Sequence, residues 1–596
     1  MLTFIKSIHS IIPKKDSFLV TRMSVILVLV SFIEFFGLAM ISFLMINIAS
    51  VDELASSLSF MSFLSIKPEL VPLTLSLFVC AYALMSIAIS IFFLKFVSLH
   101  SQLIGGRIKL KLINYYLSLG WIEHLENANS EKISRILNDA THVGQQILFA
   151  MHLFSRFALA FIITMALLYY NVIVTGVMVI SLAASYTIIY IFFKPAIRKN
   201  STIVAREKDL AMRALTNMFG SIKEIIFYNN KDKVLEDFDE MNIKMATSEG
   251  MNMYLAQIPR FIIDALLLIA LVLFAAFYST QGLSANNFIM TVSVYGVAGL
   301  KLLPAFQNIF YFASEIQARS KYLNNIVLLF RDIKVDKVSE SLEMRNHFSQ
   351  SIQFKNVNFS YGAELKKAIA NLSIEIQAGK KIAIIGPSGS GKSTFIDLLL
   401  GFIRPLDGEL IIDGKSLKEA DLINYRKYFS YVPQKLYLLD ASLKENIIFG
   451  ANVTGNSDTM LSYALEASQV NSFLDDLSHG INTSLSESNL SLSGGQKQAV
   501  GIARALYNGG EILLLDEATS AMDAKLEESV MGQIIKSNFK TIIAITHKPS
   551  MLKYFDQIYV FNDGVIEAHG TYGELKDKNY FFNKMTQATV EDVNVQ

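Results

Sequence analysis

The sequence has 596 residues, which is too long for a single hydrophobic core, so two domains are expected. Hydrophobic residues make up 52% of the chain and charged residues only 18%, which excludes an ordinary soluble protein. The net charge of +1 gives no sign of a nucleic-acid-binding surface, and the single cysteine, Cys80, excludes an intrachain disulfide.

Six apolar segments are long enough to cross a bilayer, which takes about 20 residues in a helix. They span residues 23–48, 71–96, 146–170, 172–195, 258–280 and 286–314. A tight hairpin at Tyr170 and Asn171 joins the third segment to the fourth, whereas long connections with helical spacing follow the second and the fourth. The long connections are rich in Lys and Arg and the opposite ones hold only Lys67, so we expect the long connections and both termini to be cytoplasmic.

An amphipathic pattern lies between the first two spans. Apolar residues recur at helical spacing from Val51 to Leu64, and Asp52 and Glu53 would occupy the first turn, where carboxylates stabilise a helix. The pattern predicts a short helix on the outer membrane face. A plain connecting helix without a role remains an alternative.

The residue pattern changes near Ser351, where apolar residues begin to alternate and short apolar runs follow. Strands mixed with helices predict an α/β domain. We therefore expect a transmembrane domain over 1–314, a linker over 315–350, an α/β domain over 351–580 and a tail over 581–596.

A glycine-rich loop follows one of the buried strands and opens an apolar helix, and it matches the P-loop pattern in full. Its residues are Gly386, Pro387, Ser388, Gly389, Ser390, Gly391, Lys392 and Ser393, followed by Thr394. In such a loop the backbone N–H groups hold phosphates, the lysine neutralises the β- and γ-oxygens, and the serine binds Mg²⁺. The motif predicts ATP and Mg²⁺ as cofactors.

A pair of acidic residues, Asp516 and Glu517, ends the apolar run Ile512–Leu515. A carboxylate carried by a buried strand to the phosphate end of the sheet suits a Mg²⁺ ligand, the role expected of Asp516. Glu517 is then placed to polarise the attacking water.

Between these motifs, Leu492, Ser493, Gly494, Gly495 and Gln496 resemble the signature sequence of ABC transporters. The resemblance implies a membrane α-helical bundle of six helices, of the type IV exporter kind, followed by a P-loop ATPase domain. It also implies roles for single residues: Tyr361 stacks on adenine, Gln434 is the Q-loop glutamine that acts in catalysis and at the metal, Asp523 belongs to the D-loop, and His547 is the switch histidine at the γ-phosphate.

In this family the signature binds the ATP held by the opposite domain, and one chain carries one P-loop and one signature. The resemblance therefore implies a homodimer, with a heterodimer as the alternative. It implies alternating access, in which short helices near 121–130 and 222–229 transmit closure of the ATPase domains to the spans.

Charged residues inside the spans are the best guide to the substrate, because each is costly in lipid unless it faces the bundle interior. They are Glu34, Arg156, Arg260, Asp264 and Lys301. Arg260 and Asp264 could simply pair along one helix, and Arg156 could pair with Glu34. We assign Arg260, Lys301 and Glu34 as substrate residues, since two cations suit an anionic group such as pyrophosphate.

The membrane half is most similar to the PglK-type flippases, through residues 31–34, 258–260 and 302–304. This resemblance implies that the chain flips a lipid-linked oligosaccharide across a bacterial inner membrane. It is incomplete, because no basic residue lies near Met85 and because Gln307 and Asn308 are neutral. An exporter of peptides, lipids or drugs and an ATP-gated channel are the alternatives.

Overall fold

The computed structural model describes residues 2–12, 14–47, 71–126, 128–280, 285–331, 347–362, 366–451, 457–485, 492–578 and 582–583. The chain forms two compact units. The first comprises Met1–Leu119 and Glu123–Lys334, and the second comprises Gly120–Ile122 and Val335–Gln596.

The described part of the first unit is helical. Its helices are α1 (Leu2–Ile11), α2 (Lys14–Asn47), α3 (Val71–Ser118), α4 (Trp121–Glu126, which begins in the second unit), α5 (Asn129–Ser134), α6 (Ala140–Tyr170), α7 (Val172–Gly220), α8 (Ile222–Phe227), α9 (Lys231–Thr280), α10 (Ala285–Ala318) and α11 (Ser320–Arg331). Asn171 separates α6 from α7, because its extended backbone ends one helix and its side chain accepts a hydrogen bond from Val174 N at the start of the next.

Four of the described helical segments are long and apolar enough to cross a membrane: Lys15–Leu44, Leu73–Ser118, Asn129–Tyr170 and Val172–Gly220. Helices α9 and α10 cover the fifth and sixth predicted spans. Several of these helices extend far beyond the predicted spans, as expected for the long connections, and the short helices α4 and α8 lie at their turning points. The predicted external helix at 51–64 lies outside the described residues.

Hydrogen bonds join the helices of the first unit at several depths. Ser31 Oγ on α2 donates to Ser155 O on α6 (3.1 Å), and Tyr82 on α3 donates to Ile33 O on α2 (2.8 Å). The hydroxyls of Thr175 on α7 and Tyr295 on α10 lie 2.9 Å apart. Such bonds hold helices together in lipid, where apolar contact alone gives little preference for one neighbour over another.

The second unit contains two sheets and the helices around them. The strands are β1 (Ser351–Phe359), β2 (Ile369–Gln377), β3 (Lys381–Ile385), β4 (Asp407–Ile412), β5 (Lys415–Ser416), β6 (Phe429–Val432), β7 (Ile512–Asp516), β8 (Thr541–Ile545), β9 (Gln557–Asn562) and β10 (Val565–Gly570). The helices are α12 (Lys392–Leu399), α13 (Leu422–Arg426), α14 (Leu443–Ile448), α15 (Ser457–Ala467), α16 (Asn471–Leu474), α17 (Gly494–Asn508), α18 (Ala524–Ile535) and α19 (Tyr572–Lys578).

The larger sheet has the order β10-β9-β3-β8-β7-β6, and β9, β3, β8, β7 and β6 are parallel. The smaller sheet, β2-β1-β4-β5, is antiparallel. On β3, Ile382 and Ile384 face one buried cluster, whereas Ala383 and Ile385 face the other. A strand that is apolar on both faces is typical of a parallel sheet covered on both sides, and this explains the continuous apolar runs in the sequence.

The segment expected to be a linker is helical in its first part, through the end of α10 and all of α11. Where the chain enters β1, it is fixed by Asp413. This carboxylate accepts hydrogen bonds from Ser349 N, Ser349 Oγ, Gln350 N and Ser351 N. Partial burial alone would raise the pKa of Asp413, but the hydrogen bonds from Gln350, Ser349 and Ser351 together outweigh it and lower that pKa.

We predict that Asp413→Asn lowers the free energy of unfolding by about 1–3 kcal/mol at neutral pH, because an amide cannot accept all four bonds. Asn tolerates the positive φ of this position, so the backbone turn stays intact. The measurement is thermal unfolding of the purified full-length protein in detergent. A lowered folded-state pKa gives stability above the unfolded-state pKa of about 4 that is lost as the pH falls further, so the difference from wild type should shrink below that pH.

Asp563→Asn is the matched control. Asp563 also has positive φ before a glycine at a hairpin, but among the described residues its carboxylate pairs only with the exposed Lys366 (3.1 Å). We expect a change within about 0.5 kcal/mol. Equal effects of the two variants would contradict the anchoring role of Asp413.

Candidate functional site

The candidate site lies at one edge of the larger sheet. Because β3, β8, β7 and β6 are neighbours and parallel, their carboxyl ends meet there. The P-loop follows β3, His547 follows β8, Glu517 follows β7 and Gln434 follows β6. The strand order therefore brings together four segments that are far apart in the sequence.

The P-loop curls around the start of α12. Gly391 adopts φ +100° at the N-cap, and a Cβ there would lie 2.6 Å from Ala368 O, so only glycine fits. Lys392 Nζ donates to Gly386 O (2.8 Å) and Pro387 O (2.9 Å), within the loop itself. Burial lowers the pKa of Lys392. The exposed N–H groups of a helix start, beside a buried lysine, form a phosphate site.

Glu517 is held at the centre of this edge. Gln434 Nε2 donates to its Oε2 (2.9 Å), and His547 Nε2 lies 3.1 Å from its Oε1. Its backbone has φ +51°, a conformation that costs free energy for a residue with a side chain, and its N–H donates to Ile545 O (3.0 Å). The surrounding structure therefore fixes both the backbone and the carboxylate of this residue.

Asp516 lies in a buried, acidic environment. Burial, together with the carboxylates of Glu517 and Asp397, raises the pKa of Asp516 to about 6. The hydroxyl, amide and carboxylate of Ser393, Gln434 and Asp516 are oxygen donors of the kind Mg²⁺ prefers. Within the described ranges no group of three or more His, Cys, Asp or Glu residues could hold a metal.

Tyr361 lies beside the helix that follows the P-loop. Its hydroxyl is 3.3 Å from Thr394 Oγ1, and its ring meets the edge of Phe359 with the centroids 5.0 Å apart. The residue remains partly exposed (46%).

The signature residues form the N-terminus of α17. Ser493 Oγ accepts a hydrogen bond from Gln496 N, and Gln496 Oε1 accepts one from Ser493 N, which makes a capping box. Gly495 packs against Ala521, which lies in the loop between β7 and α18. A Cβ at Gly495 would lie 3.1 Å from Ala521 O. In the same loop, Asp523 caps α18 by accepting from Lys525 N and Leu526 N.

Two residues of the site had no signal in the sequence. Gln498 Nε2 donates to Glu517 O (3.2 Å) and Ser520 Oγ (2.9 Å), and its Oε1 accepts from Ala521 N (2.9 Å). Lys548 Nζ donates to Thr519 O (2.8 Å) and Met522 O (3.2 Å).

Lys548 also pairs at 3.1 Å with Glu527, whose side chain is only 6% exposed. Only proximity in sequence to Gln496 and His547 could have suggested these two residues.

The charged residues of the predicted spans lie in the first unit. Glu34 on α2 pairs with Arg156 on α6 (3.4 Å). Arg260 lies 3.9 Å from Asp264, which accepts a hydrogen bond from Gln307 Nε2 (2.9 Å). Both pairings proposed as structural alternatives are therefore present.

The side chains of Arg260 and Lys301 are more exposed than that of Arg156, which is two-thirds buried. Arg260 is 68% exposed in this chain, and Lys301 is exposed and has no ion pair with any described residue. Of the charged residues named above, Arg260 and Lys301 are the cations that are exposed in this chain.

Comparison with known proteins agrees with the geometry of both units. Residues 369–520 match the family model described as ABC transporter. A Rickettsia felis protein with the provisional name export ATP-binding/permease protein is 30% identical over 459 residues, which cover 76% of this chain and 78% of that protein. A Photobacterium profundum protein named ATP-dependent lipid A-core flippase is 27% identical over 482 residues, which cover 79% of this chain and 81% of that protein.

The fold has a solved counterpart. The structure of a bacterial Atm1-family ABC exporter with ATP bound superposes with a TM-score of 0.80 at 20% identity, and covers 95% of this chain and 99% of that one. A helical membrane region followed by an α/β nucleotide-binding domain is therefore the fold of this chain. By its similarity to the Rickettsia relative over most of both sequences, the chain belongs to the ABC transporter family, as an exporter that couples ATP hydrolysis to transport.

Proposed function

We propose that this chain is one half of a homodimeric flippase that moves an anionic lipid-linked oligosaccharide across the bacterial inner membrane. The observation that carries the proposal is the pair of open cations, Arg260 and Lys301, on apolar helices of a chain that belongs to the ABC exporters. The Lys- and Arg-rich helical extensions and both termini would face the cytoplasm. Residues 1–314 would form the transmembrane domain and 351–580 the nucleotide-binding domain.

In the ATP step, the P-loop backbone and Lys392 would bind the phosphates, and Tyr361 would stack on the adenine. Ser393, Asp516 and Gln434 would hold Mg²⁺, which supplies positive charge against the phosphate oxygens. Glu517 would accept a hydrogen bond from the attacking water and so orient that water, and His547 would contact the γ-phosphate. The contacts that Gln434 and His547 make with Glu517 support these roles, because they place all three side chains within hydrogen-bond reach.

Glu517→Gln is expected to retain ATP binding and to lose turnover by about 10²- to 10⁴-fold, because an amide cannot polarise water as a carboxylate does. The measurements are nucleotide affinity and ATPase rate of the purified protein. Glu528→Gln is the control, since Glu528 is exposed and pairs with Lys553 at 3.7 Å on the surface. Near-normal hydrolysis in Glu517→Gln would remove Glu517 from the role.

The homodimer rests on the presence of one P-loop and one signature in the chain. In the structure, the hydrogen bonds of Ser493 and Gln496 connect these two residues to each other, at the end of α17. Ser493 and Gly494 are exposed in this chain, so this end of the helix is accessible to a nucleotide on a second copy. Each composite site would then combine the P-loop of one chain with the signature of its partner.

A mixture of Lys392→Ala and Ser493→Ala chains tests the composite site. In a mixed dimer one site lacks both elements and the other keeps both, so the mixture should hydrolyse ATP faster than either parent. Co-purification through two different tags isolates the mixed dimer for the assay. Activity equal to the sum of the parents would show that the P-loop and signature do not act across chains.

The substrate assignment follows from charge and depth. A pyrophosphate needs cationic partners in a low-dielectric cavity, while its lipid tail can stay in the bilayer. Arg156 is already neutralised by Glu34, whereas Arg260 is held only loosely by Asp264, whose other oxygen is bound by Gln307. Arg260 and Lys301 are therefore the better anion ligands, and Glu34 acts chiefly through Arg156.

The double variant Arg260→Gln and Lys301→Gln should abolish flipping of a labelled lipid-linked oligosaccharide in proteoliposomes. Basal ATPase should remain, because neither residue belongs to the nucleotide site. The double variant Lys231→Gln and Lys233→Gln is the control, since it removes two exposed cations from the start of α9, outside the predicted spans. Undiminished transport in the first double variant would make Arg260 and Lys301 structural.

Export of a phosphorylated glycolipid is the second candidate function. It is favoured by the similarity to the Photobacterium profundum protein named lipid A-core flippase. The same proteoliposome assay separates the two, because transport of a lipid A probe without transport of the oligosaccharide probe would select this alternative.

A further inference from the structure

The loop from Glu517 to Met522 joins the end of β7 to the segment before α18, and it is held from two sides. Lys548, next to His547, donates to the carbonyls of Thr519 and Met522. Gln498, on α17, reaches the same loop from the signature helix. The two residues lie on different elements: Lys548 follows β8, whereas Gln498 belongs to α17, the helix that begins with the signature.

The side-chain amide of Gln498 acts both as a hydrogen-bond donor and as an acceptor. Its Nε2 donates to Glu517 O (3.2 Å) and to Ser520 Oγ (2.9 Å), and its Oε1 accepts from Ala521 N (2.9 Å). Gln498 lies five residues after the N-cap Ser493 on one rigid helix, so displacement of the signature end also displaces this amide.

The contact to Glu517 has a particular consequence because of the backbone at that residue. Glu517 holds φ +51°, and such a conformation persists only where surrounding contacts enforce it. Its N–H donates to Ile545 O (3.0 Å), and its C=O accepts from Ser520 N (3.1 Å) and from Gln498 Nε2 (3.2 Å), so contacts lie on both sides of the strained residue. Gln498 also holds Ser520 Oγ and Ala521 N, so its loss would release three points of this turn at once. The turn would then shift and move the carboxylate away from Gln434 and His547.

We propose that Gln498 is a positioning residue for Glu517, which makes the geometry of the catalytic carboxylate depend on the position of the signature helix in the same chain. The inference rests on the proposed composite site. There the signature of one chain meets the nucleotide of its partner, so ATP bound at one site would set the carboxylate of the other through Gln498.

The test is the ATPase activity of the purified full-length dimer, in variants Gln498→Leu and Gln498→Glu. Leucine removes all three bonds. Glutamate keeps the shape and the acceptor for Ala521 N, and replaces the donor that faces Glu517 O by an oxygen. Both variants should lower kcat by about tenfold or more, with KM for ATP and nucleotide affinity unchanged, because misplacement of a catalytic group costs rate and not binding.

Lys497→Gln is the matched control, since Lys497 is the neighbouring, exposed position on α17, and its kcat should equal that of wild type. In a Glu517→Ala background, the loss from Gln498→Leu should disappear, because no carboxylate remains to be positioned. A merely structural role would give the same loss in both backgrounds, or a loss of ATP affinity, and either result would overturn the proposal.

Communication between the sites has its own readout. The ATP dependence of wild-type turnover should be sigmoidal, and that of Gln498→Leu and Gln498→Glu should be hyperbolic, because the signature helix no longer reports to Glu517. A sigmoidal curve that survives in both variants would overturn this part. None of these assays requires a lipid substrate, so failure of the oligosaccharide assignment leaves them unaffected, and full activity of Glu517→Gln would identify failure of the assumed ATP chemistry instead.

Discussion

The adjacency of three parallel strands, β6, β7 and β8, is the constraint on which the ATP site depends. Neighbouring strands lie about 4.8 Å apart, so side chains just beyond their carboxyl ends can touch. This is why Gln434, Glu517 and His547 meet although each is distant from the others in sequence. One further strand places the P-loop after β3, about 10 Å from the end of β7, across a single intervening strand.

The electrostatics of that edge explain why it suits a nucleotide together with a cation. Asp516 and Glu517 lie near the buried Lys392, and burial, together with the carboxylates of Glu517 and Asp397, raises the pKa of Asp516. A triphosphate alone would add negative charge to this group. A divalent cation held by Asp516 would supply positive charge that offsets this repulsion.

In the first unit, several charged residues of the predicted spans form ion pairs. Glu34 and Arg156 neutralise each other between α2 and α6, and hydrogen bonds between helices supplement the apolar packing. Arg260, Asp264 and Gln307 form a looser group, in which the guanidinium is mostly exposed. Because an unpaired charge is costly in lipid, the positions where pairing is incomplete are the ones where a ligand can contribute most.

The sequence by itself determined the division into an apolar helical part and an α/β part, the P-loop, the acidic end of β7 and the signature. Each of these depends on periodicity or on a motif of a few consecutive residues, because a helix, a strand and a phosphate loop are set by local backbone geometry. The positions of Gln434 and His547 followed from resemblance to the ABC transporters, and family membership was then shown by comparison.

Only the tertiary structure decided which side chains are partners. The sequence offered the pairing of Arg156 with Glu34 only as an alternative, and the structure shows it. The fourfold anchoring by Asp413 and the contacts of Gln498 and Lys548 with the loop after Glu517 join different elements and were not expected. Local spacing carries no information about them, since a glutamine or a lysine on a helix is usually only a solvated side chain. Such contacts depend on which strands and helices become neighbours, and that is set by the packing of the whole core.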